Sequence, residues 1–475
     1  MASFQEEGHR CFGGEIFLTE SGERVFELSD DNRLLYGGSK TFRETDGPEM
    51  ISAKSFFHRV EFAWHTVAFI LLMGAFIPLW RQKILGVVDP ALGDPVQRAF
   101  LGVAYLGVIL LTLHPRRALA IARRSALLWL LVGWAIISGL WSALPDVTLR
   151  RGVSALLASL YGLLLVVRYP FRSVLQMLGI ALAIVIIASL GAALLFPEWG
   201  VMGPPLSGAW QGVLFHKIPL GRTSILALLV FWILGQDKRG LKRALWFVLE
   251  LAALVTLVGS RSATAILIVL VLVGSWLLLR GMALLPRLLR PALLSLGLAA
   301  AFPALFILPD YLEDFLGLLG KDLTLTGRVP LWNLLIPLAL EKPLLGYGYG
   351  AFWGTGSSSS IMTLLRWTPN HAHNGYLDLW LEIGLVGVLI ASALLLITLV
   401  RTGQKALQIR NAGVWRFAFL FTVLLLFYNV SEALLMEVNL GRGFYWVMFS
   451  YIYFLSASDR ISSVGRERLK TGDRL

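Results

Sequence analysis

An all-α, polytopic membrane protein is predicted from three observations. Of the 475 residues, 56% are hydrophobic and only 15% charged, against roughly 25% charged in soluble domains, and mean hydropathy is +0.70. Apolar runs of about the length needed to cross a bilayer recur along the chain. Lys and Arg gather in every second connection between those runs. A soluble globule of this length could bury a large core, but it would not repeat apolar runs of ~20 residues. The single cysteine, Cys11, leaves no intramolecular disulfide and no Cys-x-x-Cys metal site.

The elements follow in order. Residues 1–57 hold eleven acids against six bases and no apolar leader, and form an acidic cytoplasmic segment that is disordered or a short hairpin. Met50 opens MISAKSFFHRVEF, itself a normal membrane-protein start, so translation from Met50 is an expectation to test. Twelve apolar segments are expected within the membrane domain 58–458. They lie at about 62–80, 99–113, 125–142, 152–167, 174–196, 220–235, 244–259, 262–279, 292–308, 375–400, 415–434 and 442–457.

Basic residues mark alternate connections: Arg116, Arg117, Arg123 and Arg124; Arg168 and Arg172; Lys238, Arg239, Lys242 and Arg243; Arg280, Arg287 and Arg290; Arg401, Lys405 and Arg410. Twelve segments with both termini inside put all of these, and the basic tail 459–475, in the cytoplasm. The opposite connections then face the periplasm. The longest, 309–374, exceeds the size of a mere connector. Its apolar stretch from Val329 to Leu340 is too short to span and reads as an interfacial helix. Positive-inside loops account for most of the +12 net charge. No basic patch interleaved with aromatics points to nucleic acid.

The chemistry concentrates in NHAHNGYLDLWLEIGLVG, Asn370 to Gly387. His373 is either a hydrogen-bonded interfacial histidine or a base, and imidazole is the side chain best suited to take a proton near neutral pH. Asn370, His371 and Asn374 stand beside it. His371 and His373 supply two metal ligands where zinc needs three or four, with His216 the main other outer-face candidate, so no metal is expected. Asp378 and Glu382 follow at i and i+4. An intramembrane carboxylate is either functional or paired with a basic residue on a neighbouring helix; Asp378 could also orient the loop. Gly384-x-x-Gly387 reads as close helix packing.

Two arginines escape the positive-inside rule. Arg261, in VGSRSA, sits at a tight outer turn among small residues that leave room for an anion. Arg328, in TGRVPLW, follows a possible N-cap, Thr326, and would place a guanidinium near helix N–H groups, where phosphate binds readily; it is otherwise a solvated loop arginine. His216, Lys217 and Arg222 add basic groups on the same face. Tyr347 and Tyr349, in GYGYG, could present faces to sugar rings or join an aromatic belt. That glycine run is not a nucleotide fingerprint, since no strand precedes it. Glu432 and Glu437, in NVSEALLMEVNL, read as partners for one of the arginines.

These motifs resemble the O-antigen ligase and polymerase superfamily, most like its exopolysaccharide repeat-unit polymerase branch. HNGYLDLWLEIGLVG matches the family's His-Asn, nine-residue, Gly-x-x-Gly pattern; TGRVPLW with KPLLGYGYGAF, VGSRSA and NVSEALL match further pieces. HKIPLG matches loosely, with Ile218 where the family pattern has Asn. The region of resemblance runs from about Trp210 to Leu440. It implies inverting, metal-independent glycosyl transfer at the outer face of the bacterial inner membrane, without a cofactor. The donor would be an undecaprenyl-pyrophosphate-linked oligosaccharide, within membrane lipid. His373, Arg328 and Arg261 would be catalytic; Asn374, Glu382, His371, His216, Lys217, Arg222, Tyr347 and Tyr349 would bind substrate. A chain-length copolymerase is a possible partner. A ligase to lipid A–core uses the same chemistry. A polysaccharide or ion transporter is the alternative of another class, and transporters hold their polar groups near the midplane instead.

Overall fold

A computed structural model describes residues 14–18, 24–28, 48–76, 95–204, 206, 208–286, 328–354, 369, 371–408, 413–439 and 441–458. The expected segment 292–308, Thr326, Asn370 and the tail 459–475 lie outside them. Near the N-terminus, β1 (Gly14–Leu18) and β2 (Arg24–Leu28) pair antiparallel, Gly14 against Leu28. No other strand occurs among the described residues, and the remaining elements are helices.

The helices are α1 (Pro48–Leu72), α2 (Pro95–Tyr105), a 3₁₀ helix (Leu106–Leu113), α3 (Pro115–Arg123), α4 (Ala126–Ile137), α5 (Pro145–Arg168), α6 (Phe171–Leu195), the short α7 (Pro197–Gly200), α8 (Lys217–Gly235), α9 (Gly240–Gly259), α10 (Ala263–Leu284), α11 (Arg328–Glu341), α12 (Gly375–Gln408), α13 (Gly413–Tyr428) and α14 (Gly443–Ser458). Among the described residues, five helices are long and apolar enough to cross a membrane: α5, α6, α8, α10 and α12. A sixth span results if the pair around α2 and α3, bent by 103°, is counted as one. The short apolar stretch Val329–Leu340 forms the helix α11. The first apolar segment becomes a helix only to Leu72, where Gly74 and Phe76 take positive φ and turn the chain.

Local chemistry sets the helix ends. Pro145 opens α5, with Asp146 in the first turn and Arg168 in the last, a charge order that complements the helix dipole. Pro170 holds Tyr169 extended and separates α5 from α6. The core centres on α14, whose aromatic residues are almost all buried, Trp446, Phe449 and Tyr451 fully so. It packs along α5 because Gly162 lacks a side chain: a Cβ there would lie 2.9 Å from Val447 O and Tyr451 N. Trp446 Nε1 donates to Ser159 Oγ at 3.0 Å across that contact.

The Gly384 motif does more than pack. Gly384 takes φ 70° and breaks α12, and the GYGYG turn fills the break. Tyr347 N donates to Leu381 O and Gly348 N to Glu382 O, both at 2.8 Å, while Leu385 N donates to Pro343 O at 2.8 Å. Trp134 Nε1 caps Ile383 O at 3.0 Å. Every backbone group released at the break thus named finds a partner, as a low-dielectric surrounding demands. The starts of α8, α12 and α14 and the end of α13 meet at one end of the bundle; the basic turns at 236–243 and 401–408 lie at the other.

Candidate active site at the converging helix ends

Glu432, 3% exposed, is the hub of this end. It follows α13 and bonds three partners: Arg328 Nη2 at 3.1 Å and His373 Nδ1 at 3.1 Å through Oε1, and His371 Nε2 at 3.2 Å through Oε2. The two imidazole rings are tilted by 41° with centroids 3.9 Å apart. Arg442 Nη2 approaches the same His371 nitrogen, Nε2, at 2.9 Å, and Arg442 Nη1 pairs loosely with Glu437 at 3.8 Å. A carboxylate and two imidazoles are therefore bracketed by two guanidiniums.

The loops that carry these groups are tied down one bond at a time. Asn429, fully buried, accepts the Leu434 and Leu435 amides on Oδ1, each at 3.0 Å. Its carbonyl accepts Gly375 N at 2.7 Å, joining the Glu432 loop to the start of α12. Residue 375 must be small: a Cβ would sit 2.2 Å from Asn429 Oδ1. Asn374 is the N-cap of α12, its Oδ1 accepting Tyr376 N at 3.1 Å and Leu377 N at 3.2 Å. Asp378 clamps the histidine loop, accepting Ala372 N at 2.9 and 3.0 Å and Trp353 Nε1 at 3.0 Å. Between these clamps His373 is held at φ 50°, a left-handed conformation uncommon outside glycine.

Electrostatics follow the same geometry. Burial works against the Glu432 carboxylate, but the bonds from His371 and His373 hold it well below the usual range. Burial and then the Arg442 charge push His371 down to about 3, so it is neutral at physiological pH. His216 is lowered by burial and by Lys217, with Glu432 and His373 near enough to be felt. It caps α8 by accepting Ile218 N at 3.3 Å.

Not every expected residue joins the cluster. Arg261, at φ 48° in the exposed α9–α10 turn, packs over Gly208; no hydrogen bond or ion pair links it to Glu432 among the described residues. Arg222 is 2% exposed and turned inward, its guanidinium 4.7 Å from the Tyr445 ring centre and donating to Gly441 O at 2.6 Å. It thereby holds the peptide next to Arg442. Glu382 lies buried under the GYGYG turn, near the Gly350 amide and within the field of the Arg151 charge. Tyr347 and Tyr349 are buried and bond through their hydroxyls, Tyr347 to Leu338 O at 3.0 Å and Tyr349 to Met436 O, so neither ring stands open to a sugar. The sequence reading missed Arg442, Arg151 and Asn429. It weighed Glu432 only as an arginine partner, although NVSEALL already stood out.

The ligand atoms of His371, His373 and Glu432 lie within 4.8 Å of one another, a spacing that could hold a metal ion. The donor set is compatible with zinc. Its surroundings are not: Arg328 already neutralises the carboxylate and Arg442 occupies His371, so a cation would face two guanidiniums.

The fold and this site define a polytopic helical membrane protein with a histidine–carboxylate–arginine cluster at one end. Residues 248–392 match the family model described as O-antigen ligase. That interval takes in Arg261, Arg328 and His373 and stops before Glu432. The chain is also 29% identical over 279 residues to "Exopolysaccharide production protein ExoQ" of Rhizobium meliloti (strain 1021), across 55% of this chain and 61% of the relative. The match therefore spans about three fifths of that relative's length. Together these comparisons show the likeness that the motifs carry: the chain resembles the O-antigen ligase and polymerase superfamily and is similar to ExoQ.

Proposed function

We propose that the protein transfers a glycan from an undecaprenyl-pyrophosphate donor to a sugar hydroxyl, with inversion and without a metal, and so polymerises exopolysaccharide repeats at the outer face of the inner membrane. The observation that carries this reading is the His373–Glu432–Arg328 arrangement, with both partners on one carboxylate oxygen. Glu432 fixes the ring of His373 through Nδ1 and stabilises the imidazolium that forms. Nε2 would then take the proton from the attacking hydroxyl. As the sugar C1–O bond breaks, negative charge grows on the pyrophosphate. Arginines at the site, Arg328 foremost and Arg261 from its exposed turn, stabilise that charge most in the transition state.

The positive-inside pattern supports an outer location, since the cluster lies at the end opposite the basic turns. The relative's name favours a polymer product. The family description favours a second acceptor, lipid A–core, with the same chemistry. A deletion strain separates the two. Loss of a polymerase leaves single-repeat products, whereas loss of a ligase leaves bare lipid A–core while lipid-linked chains accumulate. Reconstituted in liposomes with lipid-linked donor, the protein is expected to keep full activity in EDTA; loss of activity that only a divalent ion restores would overturn the metal-free part.

A further inference from the structure

The glycan chemistry does not use the basic elbow at the other end of the molecule. The apolar run of α2 and its 3₁₀ continuation stops at His114, and α3 leaves at 103° to it. A helix set square to a span lies in the plane of the membrane. α3 is amphipathic: Ile121 is 2% exposed, and the helix packs against α5 and α14. Arg116, Arg117, Arg123 and Arg124 are exposed, and Leu119 is 51% exposed beside them. The C-terminal end of α3 is hydrogen-bonded to the segment that follows it. Ser125 Oγ donates to Ile121 O at 3.1 Å and Trp129 Nε1 to Ala122 O at 3.1 Å, closing the helix's last carbonyls.

Positive-inside loops explain basic turns, but not a docked in-plane helix with this charge balance. No carboxylate occurs between Asp94 and Asp146, so the four guanidiniums have no acid on their own segment. By contrast, the turn between α8 and α9 carries Asp237, and its Arg243 is bonded to Glu250 at 2.6 Å.

We infer that α3 and Arg124 form a binding surface for anionic phospholipid headgroups, with Leu119 dipping into the acyl boundary. Arginines 116–117 and 123–124 are separated by seven residues, about 10 Å along a helix, a span that engages more than one headgroup. Attraction of this kind is near fivefold in affinity per basic residue at an anionic surface and weakens with salt. Bound lipid would anchor this end of the bundle while the opposite end handles its substrate.

The test is native mass spectrometry of the full chain purified from mixed phosphatidylglycerol and phosphatidylcholine nanodiscs. The wild type is expected to retain phosphatidylglycerol in at least tenfold preference. R116Q/R117Q/R123Q/R124Q is expected to lose that preference, and K238Q/K242Q to keep it. If the quadruple variant is not monodisperse, R116Q/R117Q and R123Q/R124Q are each expected to lose part of it. An unchanged preference in these variants, or an equal loss in K238Q/K242Q, overturns the inference. So does a phosphatidylglycerol preference that soluble glycerol phosphate abolishes, which would mean a phosphate site rather than a lipid surface.

Discussion

His373 and Glu432 stand 59 residues apart in the chain and 3.1 Å apart in the structure, Nδ1 to Oε1, with Arg328 on the same oxygen. One carboxylate thus orients the histidine and holds a guanidinium beside it.

If His373 is the base, His373→Ala lowers transfer at least about 100-fold, the scale of a lost general base, while the protein still inserts. Glu432→Gln keeps the shape and removes the charge, and a loss of about 100-fold is expected. The polymer ladder from complemented deletion cells measures both. Wild-type ladders from His373→Ala would remove His373 from the chemistry.

Acid should weaken this end of the molecule. His371 is lowered from 6.5 to about 3 by burial and Arg442, and Glu432 is held below its ordinary range. Between these values the unfolded chain binds more protons than the folded one, so stability falls as pH drops. Apparent Tm in detergent is expected to decline from pH 6.5 downward, more steeply below the usual carboxylate range. His371→Asn should flatten the upper part of that decline; an unchanged slope would refute the assignment.

Gly384→Ala places a Cβ 1.9 Å from Leu344 O at φ 70°. A loss of about 2–4 kcal/mol is expected from strain and overlap. Gly387→Ala meets only the Ile383 side chain and should cost less. Thermal unfolding in detergent ranks the two, and a milder Gly384 variant would contradict the broken helix.

Asp378→Asn exchanges one acceptor oxygen for an amide that faces the Ala372 and Trp353 N–H groups. The histidine loop should loosen, with kcat reduced about tenfold and little change in KM. A change confined to KM would make Asp378 a binding residue instead.

Much of this was legible in the residues. Apolar runs announce membrane helices because an unpaired backbone group is costly in hydrocarbon, and α11 emerged where Val329–Leu340 predicts it. His373 and Arg328 stood out because polar groups beside apolar helices have few reasons to be there. Their relation to each other did not stand out. Glu432 was visible as an acid near a helix end, yet nothing in NVSEALL says that it reaches two histidines. Likewise Tyr347 and Tyr349 read as sugar platforms or belt aromatics, because exposure is not a property of sequence.

By itself, the sequence determined that this chain belongs in a membrane and which polar residues resist that setting, since hydrophobicity and charge act locally. Only the tertiary structure decided which of those residues meet. Asn429, Gly375 and Asp378 tie separate loops together through single hydrogen bonds, and a contact across 59 residues depends on the packing of every helix between. The same packing turned Arg222 inward, buried Glu382 under the GYGYG turn, and left Glu432 at the centre.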